Sequence, residues 1–208
     1  MLTLSTSFAD EDKTYVVSGI DDVTEIVVDE FGVPHIYAEN HYNVFFAQGF
    51  NAARDRLWQI DLWKRRGLGQ LSELLGEQYL EQDRAARMFV YRGDMYAEWL
   101  AYGNDAKLIS ESFTAGINAF VELAKVNPEL MPVEFGLLGY QPSTWQADEV
   151  VRIRSNGLWR NVVSEVWRAR LACEDKLAEA AQWRTLEPNW QTRVPAGLDP
   201  CVIPEDVL

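Results

Sequence analysis

The hydrophobic pattern of this chain changes its period once, early in the sequence, and this change restricts the folds that the chain can adopt. Before that point β-branched and aromatic residues predominate, as in residues 26–28 and 36–37, and Gly32 lies between these two runs. Glycine readily adopts the positive φ of a tight turn. The sequence therefore predicts a β-hairpin in which residues 25–29 pair with residues 34–38.

After the change, apolar residues recur at steps of three and four, which is the period of an amphipathic helix. The first such helix is predicted from His41 to about Arg65. Its apolar face contains Phe46, Phe50, Ala53, Leu57 and Ile60. Glycines interrupt the pattern, and residues 71–75 are predicted to form a short second helix that Gly76 closes.

Residues 77–103 have the composition of further short helices, and residues 113–124 repeat apolar positions along one face of a longer helix. This helix is predicted to end at Asn127, because Pro128 disfavours helical geometry in the residue before it. The segment 131–140 contains one proline and two glycines, so it is predicted to be a loop or a short extended piece.

The last helical region is predicted over residues 147–184, with a bend or break at residues 156–157. Ser143 or Thr144 is expected to cap its first turn. Two acidic residues in that turn lie where the helix dipole favours negative charge.

Taken together, these patterns predict an α+β fold: a mostly helical chain with an N-terminal β-hairpin. All of residues 1–208 are expected to form one structural unit. Residues 1–40 would contain the strands, residues 41–186 would be helical, and residues 187–208 would form an extended strap, because prolines recur in that last segment.

Composition argues against two kinds of partner. The chain has 19 Lys plus Arg against 32 Asp plus Glu, a net charge of −13, whereas binding to a nucleic-acid backbone needs clustered cations. No run approaches the roughly 20 apolar residues that span a bilayer. The first ten residues lack the cationic and apolar regions of a secretory leader, which fits either a cytosolic chain or one whose leader has been removed.

The residues alone do not supply a complete catalytic constellation. His35 and His41 are the two histidines, and His35, in a predicted strand, is interpreted as structural. The two cysteines, Cys173 and Cys201, are compatible with one disulfide or with two reduced thiols. Residues 64–66 and their neighbours form the densest cationic cluster, which we interpret as a set of ion pairs with nearby carboxylates.

Three blocks of sequence nevertheless occur in a characteristic order. The first is DEFGVPHIYA at residues 29–38, and the second runs from QGF at 48–50 through ARDRLWQID at 53–61 to RRGLGQLSELLG at 65–76. The third begins with GINAF at 116–120 and continues, with gaps, towards residue 165. In combination these blocks resemble the α chain of the penicillin acylase family, within the N-terminal nucleophile amidohydrolases.

The resemblance implies an enzyme made as a precursor, or zymogen, that cleaves itself into a smaller α chain and a larger β chain. The β chain would begin with a serine that attacks the amide carbonyl while its own α-amine acts as base. The two chains together would complete an αββα fold. This chain would then contribute no catalytic residue, only pocket wall and scaffold. The expected activity is hydrolysis of an acyl group from an amide, as in deacylation of penicillin and cephalosporin antibiotics or of acyl-homoserine lactones.

The resemblance also assigns residues. Glu165 corresponds to a glutamate that helps to bind a structural calcium ion in the family, and no organic cofactor is implied. The same stretch lends side chains to the acyl pocket, which places Leu158, Trp159, Asn161 and Val162 near the substrate. The apolar members of this set favour an apolar acyl chain. Because the family is commonly exported, the resemblance suggests a periplasmic or secreted enzyme.

The second block contains a charged group, Arg54, Asp55 and Arg56 with Gln59, that the resemblance makes structural. We expect it to fix its helix against the β chain. Removal of a buried member of this group would leave an uncompensated charge, at a cost on the order of 3–5 kcal/mol. Asp55→Ala is therefore expected to lower the yield of processed heterodimer.

Two other kinds of function remain open from the residues. Eight tryptophans could form the contact surface of a non-catalytic helical interaction protein. A self-contained hydrolase with paired carboxylates would need activity from this chain alone. A serine at the start of a downstream chain would favour the acylase interpretation over both.

Overall fold

The computed structural model describes residues 2–6, 13–183, 191–204 and 206–207. The chain groups into two compact units, Met1–Arg154 and Ser155–Leu208. The single unit expected from the sequence stays a prediction.

The first unit begins with a four-stranded sheet. Its strands are β1 (Leu2–Thr6), β2 (Lys13–Tyr15), β3 (Thr24–Val28) and β4 (Pro34–Tyr37), in the spatial order β2-β1-β3-β4. The antiparallel β3–β4 pair is the predicted hairpin, with Glu25 opposite Tyr37 and Val28 opposite Pro34. The turn is closed by Gly32, which has a φ of 78° and whose amide donates to the Asp29 carbonyl at 3.0 Å. The parallel pairing of β1 with β3 was not predicted.

The longest helix is α1 (His41–Leu68). It begins where the hydrophobic period of the sequence changes. Asn40 caps this first turn, since its side chain accepts a hydrogen bond from the Asn43 amide at 2.9 Å. It ends at Gly69, whose φ of 68° is the left-handed conformation that terminates helices. Arg56 departs from helical geometry within α1, with a φ of −143°.

Further helices follow in the order that the sequence suggested. They are α2 (Ser72–Leu75), α3 (Leu80–Phe89), α4 (Met95–Ala101), α5 (Ala106–Val126), α6 (Val133–Leu138) and α7 (Ala147–Arg152), with short 3₁₀ turns at Glu77–Tyr79 and Pro128–Leu130. The end of α5 before Asn127–Pro128 and the closure of α2 by Gly76 are confirmed.

Helices α1 and α5 form the centre of the first unit. The apolar face predicted for α1 supplies Phe50 and Leu57, each 1% exposed, and α5 supplies Phe120, 2% exposed. The rings of Phe50 and Phe120 meet edge to face at 5.4 Å. From the sheet, Leu2 and Ile26 point into the same core. Burial of these side chains provides the main stabilisation of the unit.

Two expectations for residues 131–144 are wrong. The segment expected to be a loop contains α6, which Gly139 ends in a left-handed conformation with a φ of 70°. The cap of α7 is Gln146, which forms a reciprocal pair of hydrogen bonds with Glu149. The Ser143 amide and hydroxyl instead donate to Asp61 on α1. Ser143 therefore bonds to the Asp61 side chain on α1 and does not cap the first turn of α7.

The predicted helix over residues 147–184 is interrupted, as expected near residues 156–157. A 3₁₀ turn, Arg154–Leu158, separates α7 from α8 (Trp159–Cys173). The helix is shorter than predicted, because α8 ends at Cys173 and is followed by the 3₁₀ turn Leu177–Glu179 and α9 (Ala180–Trp183).

The end of α8 has a specific backbone motif. The Lys176 amide donates to the Leu171 carbonyl at 2.7 Å and the Asp175 amide donates to the Ala172 carbonyl at 3.2 Å. Asp175 has a φ of 58°. This is the Schellman arrangement, in which the left-handed position is normally glycine.

The strap expected at residues 187–208 falls partly outside the described residues. Residues 191–204 are irregular except for the 3₁₀ turn Pro200–Val202, which packs against α8. A disulfide joins Cys173 to Cys201, so the question left open by the sequence is decided in favour of a bridge. Among the described residues, no helix has the length and apolar character needed to cross a membrane.

Candidate functional site

The residues assigned to the acyl pocket lie at the start of α8. Trp159 is the first residue of α8 and Leu158 the last residue of the preceding 3₁₀ turn; their side chains lie outside the described part of the structure. Asn161 and Val162 are on the first turn of the helix and are exposed, Val162 by 46%. In the second unit taken by itself, Asn161 and Val162 are therefore accessible to a ligand or to another chain. Their proposed role stays a prediction.

The predicted calcium ligand, Glu165, follows one turn later on α8. Its carboxylate is 57% exposed and accepts a hydrogen bond from Arg168, one turn further along. Carboxylate oxygen is the ligand type that calcium prefers. Among the described residues, no three Asp, Glu, His or Cys side chains lie close enough to hold a metal ion. Glu165 fits as one ligand, and the described residues do not complete a coordination shell around it.

A buried carboxylate organises the polar interior of the first unit. Asp61 on α1 has a side chain only 1% exposed, and it forms an ion pair with Arg65 at 2.8 Å. It also accepts hydrogen bonds from the amide and the hydroxyl of Ser143, at 2.9 and 2.6 Å. Because these partners come from one helix and from a loop more than 80 residues away, Asp61 fixes that loop to α1.

Tyr140 and Lys64 extend this network. The Tyr140 hydroxyl lies 3.4 Å from Asp61 as a donor, and the Arg65 guanidinium stacks over the Tyr140 ring at 5.1 Å. Burial and the negative charge of Asp61 raise the pKa of Tyr140 far above its ordinary value. Lys64 is paired with Glu149 at 3.0 Å and donates to the Thr144 carbonyl. The charged groups of Asp61, Lys64, Arg65 and Glu149 are therefore paired with one another within the first unit.

Asn118 on α5 holds the next part of the same loop. Its side-chain amide donates to the Trp145 carbonyl at 2.8 Å, and its side-chain oxygen accepts from the Trp145 amide at 2.7 Å. This pairing imitates a strand pair and fixes the backbone immediately before α7. Asn118 belongs to the GINAF block, and its role there is structural: it holds the backbone of Trp145 against α5.

A second buried carboxylate shapes the turn that follows α1. Asp83, 2% exposed, accepts hydrogen bonds from the Leu71 amide at 2.9 Å, the Ser72 amide at 2.7 Å and the Ser72 hydroxyl at 2.6 Å. Burial alone would raise the pKa of Asp83, but the hydrogen bonds from Ser72 and Leu71 outweigh it and lower the pKa. The glycine-containing turn is thus held by a carboxylate and is not shaped to receive a phosphate.

The first unit also has a large open cleft, of about 990 Å³, between α4, α5 and α7. Its lining includes Trp99, Lys107, Trp145 and Arg152. No histidine, cysteine or serine is among the described residues that line it. Its two hydroxyls are those of Tyr96 and Thr114, and the Thr114 hydroxyl donates to the Ser110 carbonyl at 2.9 Å. Among the described residues that line the cleft, no side chain has a histidine or cysteine beside it that could act as its base or nucleophile.

The structural interpretation of His35 agrees with its position. Its Nε2 lies 3.0 Å from Asp29, whose other carboxylate oxygen accepts from the Phe31 and Val33 amides at 2.9 Å. The hydrogen bonds, first that with His35, lower the pKa of Asp29. Asp29 thus ties the turn of the hairpin to its second strand.

The charged group of the second block is only partly as expected. Arg54 and Asp55 form an ion pair at 2.8 Å, but the Asp55 side chain is 41% exposed. The expectation that this group fixes α1 against the β chain stays a prediction. Within the first unit, the buried carboxylate of the second block is Asp61, six positions later on α1.

Sequence reasoning missed the parts of this framework that depend on distant partners. Asp83 stands in an ordinary acidic first turn of α3, and nothing local distinguishes it from its neighbours. Asn118 and Trp145 are 27 residues apart. The one available signal was membership of a motif block, which applied to Asp61 and Asn118 but not to Asp83.

Comparison with known proteins places this geometry in a family. Residues 23–196 match the family model described as "Penicillin amidase". The "Penicillin G acylase" of Escherichia coli is 32% identical over 130 residues, which are 62% of this chain and 15% of that protein. The "Penicillin acylase 2 proenzyme" of Pseudomonas sp. (strain SE83) is 32% identical over 154 residues, 73% of this chain and 19% of that protein.

An "Acyl-homoserine lactone acylase QuiP" from Pseudomonas aeruginosa is 26% identical over 168 residues, 78% of this chain and 20% of that protein. The chain thus spans about a fifth or less of these curated relatives. Among solved structures, "Thermostable Penicillin G acylase from Alcaligenes faecalis in tetragonal form" matches with a TM-score of 0.60 and 27% identity, covering 84% of this chain and 98% of that chain. The chain belongs to the penicillin amidase family.

Proposed function

We propose that this chain is the α subunit of an amidohydrolase that removes an acyl group from an amide, with the serine nucleophile at the N-terminus of a partner β chain. The family and its acylase relatives support amide hydrolysis. The described residues of this chain bring no nucleophile and base together in the cleft of the first unit. Both observations support a division of labour in which the partner supplies the nucleophile.

One observation carries the subunit assignment. The chain covers 98% of a chain in a solved penicillin G acylase, yet only 15–20% of the curated relatives. One of those relatives is named a proenzyme. Both facts are expected when a long precursor is cut and this chain corresponds to the smaller product.

The sheet supports completion by another chain. Within the described residues, β4 forms one edge of the sheet and pairs only with β3. Tyr37 on β4 is 59% exposed. An edge strand presents one row of backbone N–H and C=O groups with which a strand of another chain can pair. We propose that the β chain covers this part and completes the αββα arrangement.

The acyl pocket and the calcium site are proposed on α8. Asn161 and Val162, with Leu158 and Trp159 beside them in sequence, would contact the acyl group. Glu165 would supply one oxygen to calcium, whose role when bound is to hold the α8 region against the β chain. The relatives support two substrate classes, penicillins and acyl-homoserine lactones, in which the acyl group is joined through an amide. An apolar acyl chain fits Val162 best.

An oxidising compartment is part of the same proposal. Disulfides such as the Cys173–Cys201 bridge form in oxidising compartments, including the periplasm and the extracellular space. This observation supports the export that the family resemblance suggests.

Intact-mass analysis of the protein purified from its full gene tests the subunit assignment. We expect two polypeptides, the larger one beginning with serine, and hydrolysis of a chromogenic acyl amide by the pair. Replacing that serine with alanine should leave an uncut precursor without activity. Amide hydrolysis by the smaller chain alone, or a companion that begins with a residue lacking a hydroxyl or thiol, would overturn the proposal.

A further inference from the structure

The last described segment of the chain is held in place with very little burial. Of residues 191–204, only Pro200 and Ile203 are partly buried, and the others are exposed. Its apolar residues face solvent: Leu198 is 57% exposed and Val202 is 69% exposed. Burial of so little apolar surface cannot by itself hold an irregular segment in one position.

The covalent contact compensates for this lack of burial. Cys173 is the last residue of α8, and Cys201 lies in the middle of the Pro200–Val202 turn. The turn is organised around the bridge, because Asp199 accepts a hydrogen bond from the Cys201 amide at 2.9 Å. On the other side, the Lys176 amide closes the end of α8 on the Leu171 carbonyl at 2.7 Å. The bridge thus joins two local structures, and among the described residues of the segment only Pro200 and Ile203 add partial burial to it.

Both cysteines are exposed in the second unit, so thiols in solution can reach the bridge. A low-molecular-weight thiol, as its thiolate, attacks one sulfur and forms a mixed disulfide, while the other cysteine leaves as a thiolate and takes up a proton. A second thiol then displaces the protein sulfur. The net result is two cysteine thiols and one oxidised small disulfide, with two electrons transferred to the protein.

We propose that the Cys173–Cys201 disulfide is a redox-sensitive clasp: when it is closed it holds residues 199–203 on the end of α8, and when a small thiol reduces it the segment is released. Cys173 is on the same helix as Asn161, Val162 and Glu165. The proposal itself concerns the segment and does not depend on the acylase activity.

Hydrogen exchange on the native protein, purified from its full gene, tests this proposal. The amides of Cys201 and Lys176 report on the two sides of the clasp. Incubation with glutathione at a reducing ratio should make both exchange about tenfold faster or more, while amides of α5 are unchanged. Alkylation followed by mass analysis should find no free thiol in this chain before reduction and two afterwards. Reoxidation with oxidised glutathione should restore slow exchange.

A Cys173→Ser/Cys201→Ser variant should show the fast exchange at Lys176 and residue 201 without any reductant, and reductant should not change it further. This variant separates the effect of the bridge from reduction of cysteines in a partner chain. If the variant does not fold, the reversible cycle of the native protein decides the question. Unchanged exchange after complete reduction, or two alkylated cysteines in the untreated protein, would overturn the proposal.

Discussion

Gly49 on α1 and Gly116 on α5 occupy reciprocal positions at one helix crossing. The Cβ atom that alanine would add at Gly49 would lie 1.9 Å from the Phe113 carbonyl oxygen, and one at Gly116 would lie 1.9 Å from the Phe46 carbonyl oxygen. The backbones of α1 and α5 therefore come into close contact at this crossing because each helix has a glycine, without a side chain, at the contact point. Both glycines stand in the blocks of sequence that carry the family resemblance, Gly49 in QGF and Gly116 in GINAF.

Substitution of Gly116 by alanine should destabilise the first unit strongly. The facing backbone of α1 would have to move away, and overpacking of this kind costs about 3 kcal/mol or more. Urea unfolding followed by tryptophan fluorescence, on the protein purified from its full gene, measures the loss. Gly136→Ala is the matched control, because a Cβ atom there meets nothing within 4 Å. That variant should be neutral or gain about 0.5–1 kcal/mol from helix propensity. Equal stability of the two variants would contradict the close crossing.

Removal of the Asp61 carboxylate should cost far more than removal of Asp55. Asp61→Ala leaves Arg65 without its buried partner and the Ser143 amide without an acceptor, at a cost of about 3–5 kcal/mol. Asp55→Ala breaks a partly exposed ion pair with Arg54 and a hydrogen bond from the Asn51 side-chain amide, at a cost of about 1 kcal/mol. The urea midpoints of the two variants give the comparison, and a larger loss for Asp55→Ala would show that the buried network has been misplaced.

The stability contributed by Asp83 should depend on pH. Its pKa is lowered in the folded chain from a model-compound value of 3.8, so the unfolded chain binds a proton first as the pH falls. The contribution is therefore complete above the unfolded pKa and disappears as the pH falls through the lower folded pKa. Asp83→Asn should be less stable by about 1.5–3 kcal/mol at neutral pH. The unfolding curves of the two proteins should converge on acidification, and a gap that stays constant between neutral pH and pH 3 would contradict this role.

Elements whose signals are local were predictable. The β3–β4 hairpin depends on a glycine turn, and α5 depends on an apolar stripe that ends at a proline. By contrast, α6 was missed because proline and glycine flank it, which are the residues of loops as well as of helix ends. The strand β1 was missed because it pairs in parallel with β3 across 20 residues and more. Local propensity carries no information about such a partner.

For the candidate site the same distinction applies. Glu165 and Asn161 could be assigned by resemblance, because they stand in a recognisable block. The roles of Asp61 and Asn118 became visible only when the chain brought Ser143 and Trp145 next to them. Asp55 and Asp61 stand in the same motif block, and the sequence analysis singled out Asp55. Only the structure shows that Asp61 is the buried carboxylate of this block.

The end of α8 should be stabilised by Asp175→Gly. Asp175 adopts a φ of 58° at the left-handed position of the Schellman motif, where glycine meets no Cβ penalty. We expect a gain of about 0.5–1 kcal/mol. Slower hydrogen exchange at the Lys176 amide measures it directly. Glu174→Gly is the control at the adjacent position, and it should not slow exchange there.

The proposed calcium ligand can be tested apart from its surface ion pair. In the native two-chain protein, removal of calcium by a chelator should lower the thermal midpoint, because a ligand that binds only the folded state stabilises it by mass action. Glu165→Gln should reduce this calcium-dependent shift. Glu165 also pairs with Arg168, so Glu81→Gln is the matched control: Glu81 forms the same i,i+3 pair with Arg84, at 3.0 Å. Glu81→Gln should lower the thermal midpoint only slightly, as expected for an exposed ion pair. Its thermal midpoint should still fall by the full amount when calcium is removed. If Glu165→Gln responds to the chelator as the unmodified protein does, then Glu165 is not a calcium ligand and its carboxylate serves α8 only through Arg168.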